Sequence, residues 1–159
     1  MGVFCNRVAL EGWFMKVGEM LKRCSVRLTP TREAVLKVLV REKRPMSYKE
    51  VIGGLKGQYD RVTVYRTLLL LLDKKMVHRV MDMKGAWRFC AHDPGKHGCP
   101  GDHPHFECRI CGRMKCLEWD SLPHIEVEPG TIVEGKNMVV YGVCAQCGKN
   151  RNKKEASSS

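Results

Sequence analysis

Cys108-Arg109-Ile110-Cys111-Gly112 and, further along the chain, Cys144-Ala145-Gln146-Cys147-Gly148 are the stretches from which the rest can be worked out. Two residues between cysteines let both thiolates of a tight turn face one metal ion, and two such turns supply the four sulfurs of a closed tetrahedral zinc site. The 32 residues from Gly112 to Val143 exceed the usual spacing within one hairpin, so the second pair is expected to return on a later strand. Cys108, Cys111, Cys144 and Cys147 are therefore the candidate ligands of a structural zinc, with a redox switch as the alternative use of the same thiols. In a small domain such an ion contributes roughly 10 to 16 kcal/mol of apparent binding free energy, so the second half of the chain needs it to hold its shape.

Outside these turns the totals set bounds. A chain of 159 residues is one or two small domains with room for a real core. Nine cysteines would suit a secreted disulfide scaffold, but four are absorbed by the paired turns and no secretory segment precedes them, which points to a reducing cytoplasm. Arg7, Glu11 and Lys16 interrupt the apolar N-terminal residues, leaving neither a signal-peptide core nor a bilayer-spanning run. The formal charge is +11 and the pI is near 9.4. Residues 1–72 carry 14 Lys and Arg against 6 Asp and Glu, a net of +8, whereas residues 73–159 carry 14 against 11, a net of +3. A basic excess concentrated in the half without the cysteine turns points to phosphate contacts and hence to nucleic acid.

That basic half has helical periodicity. Trp13, Val17, Met20, Leu21 and Cys24 recur on one helix face; Thr29 can cap a second helix, with Pro30 at its first position and Val35, Val38 and Leu39 inside. Ser47 and Glu50 have the spacing of a capping box ahead of Val51, Ile52 and Leu55, and Gly53-Gly54 keeps that helix short. Asp60 can cap a fourth helix whose first turns carry Arg61, Thr63, Tyr65, Arg66 and Thr67, followed by five leucines, Leu68 to Leu72, expected to be surrounded by protein. Residues 77–80 and 86–89 suggest a hairpin around Met83-Lys84-Gly85. Helices followed by a basic hairpin imply a winged helix-turn-helix with Arg61 to Thr67 entering the major groove. Arg66 is the expected base reader and Tyr65 a phosphate partner, with Arg61 and Lys49 as further phosphate contacts.

Beyond the hairpin, short strands are expected near 106–108 and 114–117, a second hairpin joining Ile132-Val133 to 138–141, and a frayed polar tail after Gly148. His78 lies on the first wing strand, Cys90 ends the second, and His103 and His105 stand just before the first cysteine turn, so these four are expected to converge at the hinge. Three imidazoles and one thiolate suit Zn(II) better than Mn(II) or Fe(II), which favour more oxygen. His92, His97 and Cys99 form a further cluster in the loop, either a metal-capturing group or a plain tether.

The order of these elements resembles the ferric uptake regulator family from about Leu21 to Lys149. The resemblance is carried by Leu28-Thr29-Pro30-Thr31-Arg32, Thr63-Val64-Tyr65-Arg66-Thr67-Leu68, Asp102-His103-Pro104-His105 and Tyr141-Gly142-Val143-Cys144. It implies an α+β chain made of a winged-helix DNA-binding domain, a hinge and an α+β dimerisation domain, acting as a homodimer on palindromic operators when a regulatory metal is bound. On that basis residues 1–12 are a loose extension, 13–89 the DNA-binding domain, 90–104 the hinge, 105–149 the dimerisation domain and 150–159 a flexible tail. Tyr65 and Arg66 match the family's DNA-contacting positions, and the four paired cysteines match its structural zinc ligands. Cys90 stands where iron- and peroxide-sensing branches carry an acidic residue, which looks like the zinc uptake regulator branch. Cys116, five residues beyond Cys111 where members often have an acidic ligand, and Glu118 are possible extra ligands. Arg44 and Lys136 replace histidines found in many members, and Trp119 to Pro129 is short for the family's dimerisation helix.

The leading expectation is a zinc-responsive repressor of metal-uptake genes rather than an enzyme. One alternative keeps the fold and senses peroxide or thiol oxidation through Cys90, Cys99 or Cys116, and a neighbouring one senses nickel, iron or manganese. A remote one is a zinc deaminase or hydrolase built on His105-Phe106-Glu107 with Cys144 and Cys147, but Val143 stands where that arrangement needs Pro and Cys108 and Cys111 would have no role.

Overall fold

A computed structural model describes residues 17–91, 103–117, 122–134 and 136–156. The expected extension at 1–12, the loop cluster of His92, His97 and Cys99, and Glu118 lie outside these residues. The chain opens with helix α1, described over 17–23, followed by α2 (Pro30–Glu42), β1 (Met46–Ser47), α3 (Tyr48–Gly54) and α4 (Arg61–Asp73). The strands β2 (Val77–Met81) and β3 (Trp87–Ala91) form the hairpin; β4 (His105–Cys108), β5 (Met114–Cys116), β6 (Val139–Gly142) and α5 (Ala145–Ala156) follow.

Local chemistry explains where the helices begin. Thr29 accepts from the Arg32 N–H and Pro30 occupies the first turn of α2, where a missing N–H costs nothing. Ser47 and Glu50 make the full capping box on α3, with the Ser47 N–H donating to Glu50 Oε2 at 2.8 Å. Asp60 accepts from both the backbone N–H and the hydroxyl of Thr63 at 2.8 and 2.9 Å, starting α4. Val64, Thr67, Leu68 and Leu71 then form the buried face of α4. The five-leucine run is not enclosed as expected: Leu69 is 41% exposed, because a 3.6-residue period carries one of five consecutive positions to the far side.

The first sheet has the order β1-β3-β2, all antiparallel, and lies against the helices. Its hairpin turns at Gly85, whose φ of +78° is unstrained only for glycine. Asp82 organises that turn by accepting from the N–H groups of Lys84 and Ala86 and from the Arg88 guanidinium at 3.0 Å. Burial alone would raise its carboxyl pKa, but the Ala86 N–H, Arg88 and the Lys84 N–H outweigh burial and hold it below the ordinary carboxylate value. Arg88 also pairs with Glu50 at 3.0 Å, tying hairpin to α3. Asp82→Ala is expected to lower folding stability by about 2 to 3 kcal/mol in a denaturant titration, since two N–H groups and a nearly buried cation lose their acceptor together. Helices plus this hairpin make a winged helix-turn-helix.

The second sheet has the order β5-β4-β6, with β6 parallel to β4 in the register His105↔Val139 to Cys108↔Gly142. The expected hairpin between Ile132-Val133 and 138–141 does not form; residues 122–134 and 136–138 contain no helix or strand. A strand running parallel to β4 must be reached by a long crossover, and that segment is the crossover. The tail also departs from expectation. Instead of fraying after Gly148, the chain is helical to Ala156, because Gln146, Lys149, Arg151 and their neighbours are good helix formers and a solvated helix needs no apolar face.

The main core cluster runs from Val17 to Phe89 and contains no residue of the second sheet. Beyond residue 91, the buried apolar residues among those described are Cys108, Met114 and Leu122. So few buried side chains leave little apolar burial to offset the entropy of ordering the described residues of this half.

Candidate metal centres and nucleic-acid face

The two cysteine turns meet. Sγ of Cys108, Cys111, Cys144 and Cys147 all lie within 4.8 Å of one another, and Cys111 and Cys144 are 3.9 Å apart. Zinc–sulfur bonds of about 2.3 Å in a tetrahedron place sulfurs roughly 3.8 Å apart, so this spacing fits the ion. The first turn reverses at Gly112, with φ +65° and its N–H on the Cys108 carbonyl at 2.8 Å. The second turn is different in shape, since Cys144 immediately precedes α5 and Cys147 lies in its first turn. The N–H groups of Cys111 and Cys144 lower the Cys108 thiol to about 6. Cys147 is instead pushed up to about 12, first by its contact with Cys144, because thiolates accumulating in one place oppose further ionisation. A divalent cation removes that opposition.

A second group of donors spans the two sheets. One ligand atom each from His78, His103, His105 and Cys116 lie within 4.8 Å of one another. His78 comes from β2 of the first sheet; His105 and Cys116 come from paired positions on β4 and β5, and His103 from the residues just before β4. The Nε2 atoms of His78 and His105 are 3.2 Å apart, close to the roughly 3.3 Å edge of a tetrahedron with zinc–nitrogen bonds near 2.05 Å. Both rings are buried. Burial pushes the His78 imidazole below its ordinary value, which keeps it neutral and available as a ligand. Buried His105 Nδ1, the ring nitrogen turned away from His78, has no hydrogen-bond partner among the described residues. The Cys116 thiol is held far below the ordinary thiol range, first by its contact with Cys90 and then by the three imidazoles, so it presents a thiolate.

This arrangement corrects one expectation. Cys90 is buried beside the group, with Sγ 3.5 Å from Cys116 Sγ, but the fourth member is Cys116. His78 and Cys90 are direct partners across β2 and β3, and in an antiparallel pair both side chains share one face. Cys116 reaches further into the group because β5 pairs it opposite His105. Glu107 was visible only as a proton carrier in an enzymatic alternative. It is buried on β4, two residues beyond His105, and accepts from the Met83 N–H at 2.8 Å, fastening the hairpin turn to the second sheet. Asn137 adds a longer contact to the Met81 carbonyl at 3.5 Å. Arg44 occupies itself with Glu50 at 2.7 Å and makes no contribution to either group.

Residues 23–141 match the model of the ferric uptake regulator family. This chain belongs to that family. It is 30% identical over 146 residues to the ferric uptake regulation protein of Bacillus subtilis, covering 87% of this chain and 96% of that one. To the peroxide operon regulator of the same organism it is 27% identical over 141 residues, covering 84% and 92%. Its fold is that of a zinc uptake regulator solved with zinc and DNA, at a TM-score of 0.64, 19% identity and coverage of 90% and 97%. As a ferric uptake regulator family member the chain is a metal-responsive DNA-binding repressor, not an enzyme, and its partners are DNA and a second copy of itself.

The candidate nucleic-acid residues lie mainly on α4. Arg61, Thr63, Tyr65 and Arg66 are exposed along its first turns, as is Lys49 on α3. Tyr65 packs edge-on against Tyr48, with ring centroids 5.8 Å apart, and Tyr48 donates to the Arg61 carbonyl at 2.7 Å, so two tyrosines brace the start of α4. Thr63 is engaged with Asp60. Thr67 is a correction: it is buried on the core side of α4, one turn beyond Val64, and does not face solvent. Among the described residues, no helix is long and apolar enough to cross a membrane.

Proposed function

We propose that this protein is a zinc-responsive, cytoplasmic repressor of metal-uptake genes. The observation that carries the reading is the donor set His78, His103, His105 and Cys116, three imidazoles and a thiolate with no carboxylate among them. Such donors favour Zn(II) over Mn(II) and Fe(II). The likeness to a zinc uptake regulator fold adds support, while the relatives in Bacillus subtilis include iron and peroxide regulators and leave the metal to chemistry.

In this reading residues 13–89 bind DNA, 90–104 are the hinge and 105–149 dimerise. Arg66 reads a base edge, and Tyr65, Arg61, Thr63 and Lys49 hold the phosphate backbone. Cys108, Cys111, Cys144 and Cys147 hold the structural zinc. His78 on the first sheet and His103, His105 and Cys116 on the second hold the regulatory zinc between them, and the ion supplies the cross-link. Glu107 steadies the wing at the same joint. A fixed joint sets the angle at which the two α4 helices of a homodimer meet successive half-sites of a palindromic operator. Exposed Ile125, Val127, Ile132 and Val133, with the edge strand β6, offer apolar surface for the second copy.

The test begins by selecting bound duplexes from a random DNA pool. Affinity for the selected duplex is then titrated with zinc, iron(II) and manganese(II), alongside metal content by elemental analysis. Two zinc ions per chain and about 5- to 150-fold tighter binding with zinc are expected, the range of ordinary allosteric coupling. A response to iron(II) or manganese(II) with none to zinc would refute the zinc reading.

A further inference from the structure

The first turn of α4 presents an apolar side chain to solvent: Val62 is 56% exposed. Each residue of an α-helix turns the chain by about 100°, so Val62 and Arg66, two positions before and two after buried Val64, both stand about 200° from it. They therefore share the outermost line of α4, about one helical turn apart. We propose that Val62 is a base-reading residue that packs on the C5-methyl group of a thymine close to the base read by Arg66. The inference rests on α4 being the helix that enters the major groove.

Helix formation does not call for valine at this place, because a β-branched side chain in an exposed turn is a weaker helix former than Ala, Lys or Glu. Its surroundings suit DNA. The exposed side chains of the first two turns are Arg61, Val62, Thr63, Tyr65 and Arg66, with no carboxylate among them. The neighbouring Asp60 carboxylate is held in the helix cap by the Thr63 N–H and hydroxyl at 2.8 and 2.9 Å. Among the groups that base pairs show in the major groove, the thymine methyl is the apolar one, and an apolar side chain recognises it by burial. Cytosine or adenine at the same place would press an amino group against Val62, stripping its water without offering an acceptor.

The helix also fixes where that thymine lies. Four residues advance about 6 Å along the axis, against roughly 3.4 Å per base-pair step, so the thymine falls about one or two steps from the Arg66 base. Tyr65, edge-on to Tyr48, and the Tyr48 hydrogen bond to the Arg61 carbonyl hold the start of α4 in place for this contact. Val62 carries no charge, so it adds sequence preference without adding salt dependence.

The test uses the full-length homodimer, under the metal conditions that give its tightest binding, and the duplex selected from the random pool. Each thymine is replaced in turn, in both half-sites together, by deoxyuridine, which lacks only the methyl group. One thymine per half-site should prove sensitive, with affinity falling about fourfold for each buried methyl and about 15-fold for the pair. Val62→Ser should bind the thymine and uridine duplexes equally, with unchanged thermal unfolding and an unchanged salt slope, whereas Val62→Ile should keep the preference for thymine. Arg66→Ala, selected against the same pool, should relax the preference at one base and so locate it. The proposal is overturned if no thymine is sensitive, if sensitivity survives in Val62→Ser, or if the sensitive thymine lies more than about three steps from the Arg66 base. If Arg66→Ala leaves affinity and selected sequence unchanged, α4 is not the reading helix, a separate failure that shows without any uridine.

Discussion

Replacing Cys108 with serine is expected to remove one metal ion per chain and to unfold the β4, β5 and β6 half while α1 to α4 and the wing stay folded. The asymmetry follows from where apolar surface is buried. The large cluster from Val17 to Phe89 supports the first half by itself, whereas the buried apolar side chains among the described residues of the second half are Cys108, Met114 and Leu122. Its fold therefore depends on the roughly 10 to 16 kcal/mol that a structural zinc contributes, as large as the whole stability of many domains at about 5 to 15 kcal/mol. Cys108 is the sharpest position because it is fully buried, ends β4 and accepts the Cys144 N–H at 3.3 Å, so its sulfur joins the two cysteine turns. Hydrogen exchange resolved by segment checks this: β4 and β6 amides should exchange freely while those around Leu36 and Leu68 remain protected. Retained protection in β4 would mean that packing, not metal, holds this half.

The second large effect distinguishes two histidines of one cluster. His105→Ala removes a buried ligand from β4 and is expected to abolish both the second metal ion and the metal dependence of DNA binding. His78→Ala leaves His103, His105 and Cys116 together on the second sheet, so a weaker site should survive. Losing outer-shell support alone costs metal sites about 10- to 100-fold in affinity, and loss of a ligand costs at least that. The surviving ion no longer touches the DNA-binding half, because among the four ligands only His78 comes from the first sheet. His78→Ala should therefore bind a second zinc at high concentration without the about 5- to 150-fold gain in DNA affinity. Metal titration beside DNA titration separates the cases, and a full DNA response in saturated His78→Ala would show that coupling runs through another contact, with the Met83 to Glu107 hydrogen bond the first to examine.

The paired cysteine turns and the capped helices were legible because their determinants are local. A thiolate pair at fixed spacing, a hydroxyl three residues before a carboxylate and an aspartate ahead of a threonine act within a few residues; Ser47 and Asp60 cap their helices, and Cys108 meets the other three paired cysteines. His78, His103 and His105 were also legible, since each sits beside a recognisable element and three imidazoles have few other reasons to meet.

What the chain's order alone left open are matters of register and of which face turns inward. Whether Cys90 or Cys116 completes the second group depends on β5 pairing opposite His105, a relation between segments that no local pattern encodes. Thr67 and Leu69 exchanged their expected surroundings for the same reason: helical period sets their relative positions, but the packing of α4 against α2 and the first sheet sets which one is buried. The parallel entry of β6 alongside β4 and the helical tail were likewise decided by tertiary structure. By itself the sequence determined the chemistry available to this protein, namely two sets of metal donors and a basic helical half. The tertiary structure decided which donors share an ion, because ligation requires atoms within a few ångströms and that distance is set by strand pairing rather than by separation along the chain.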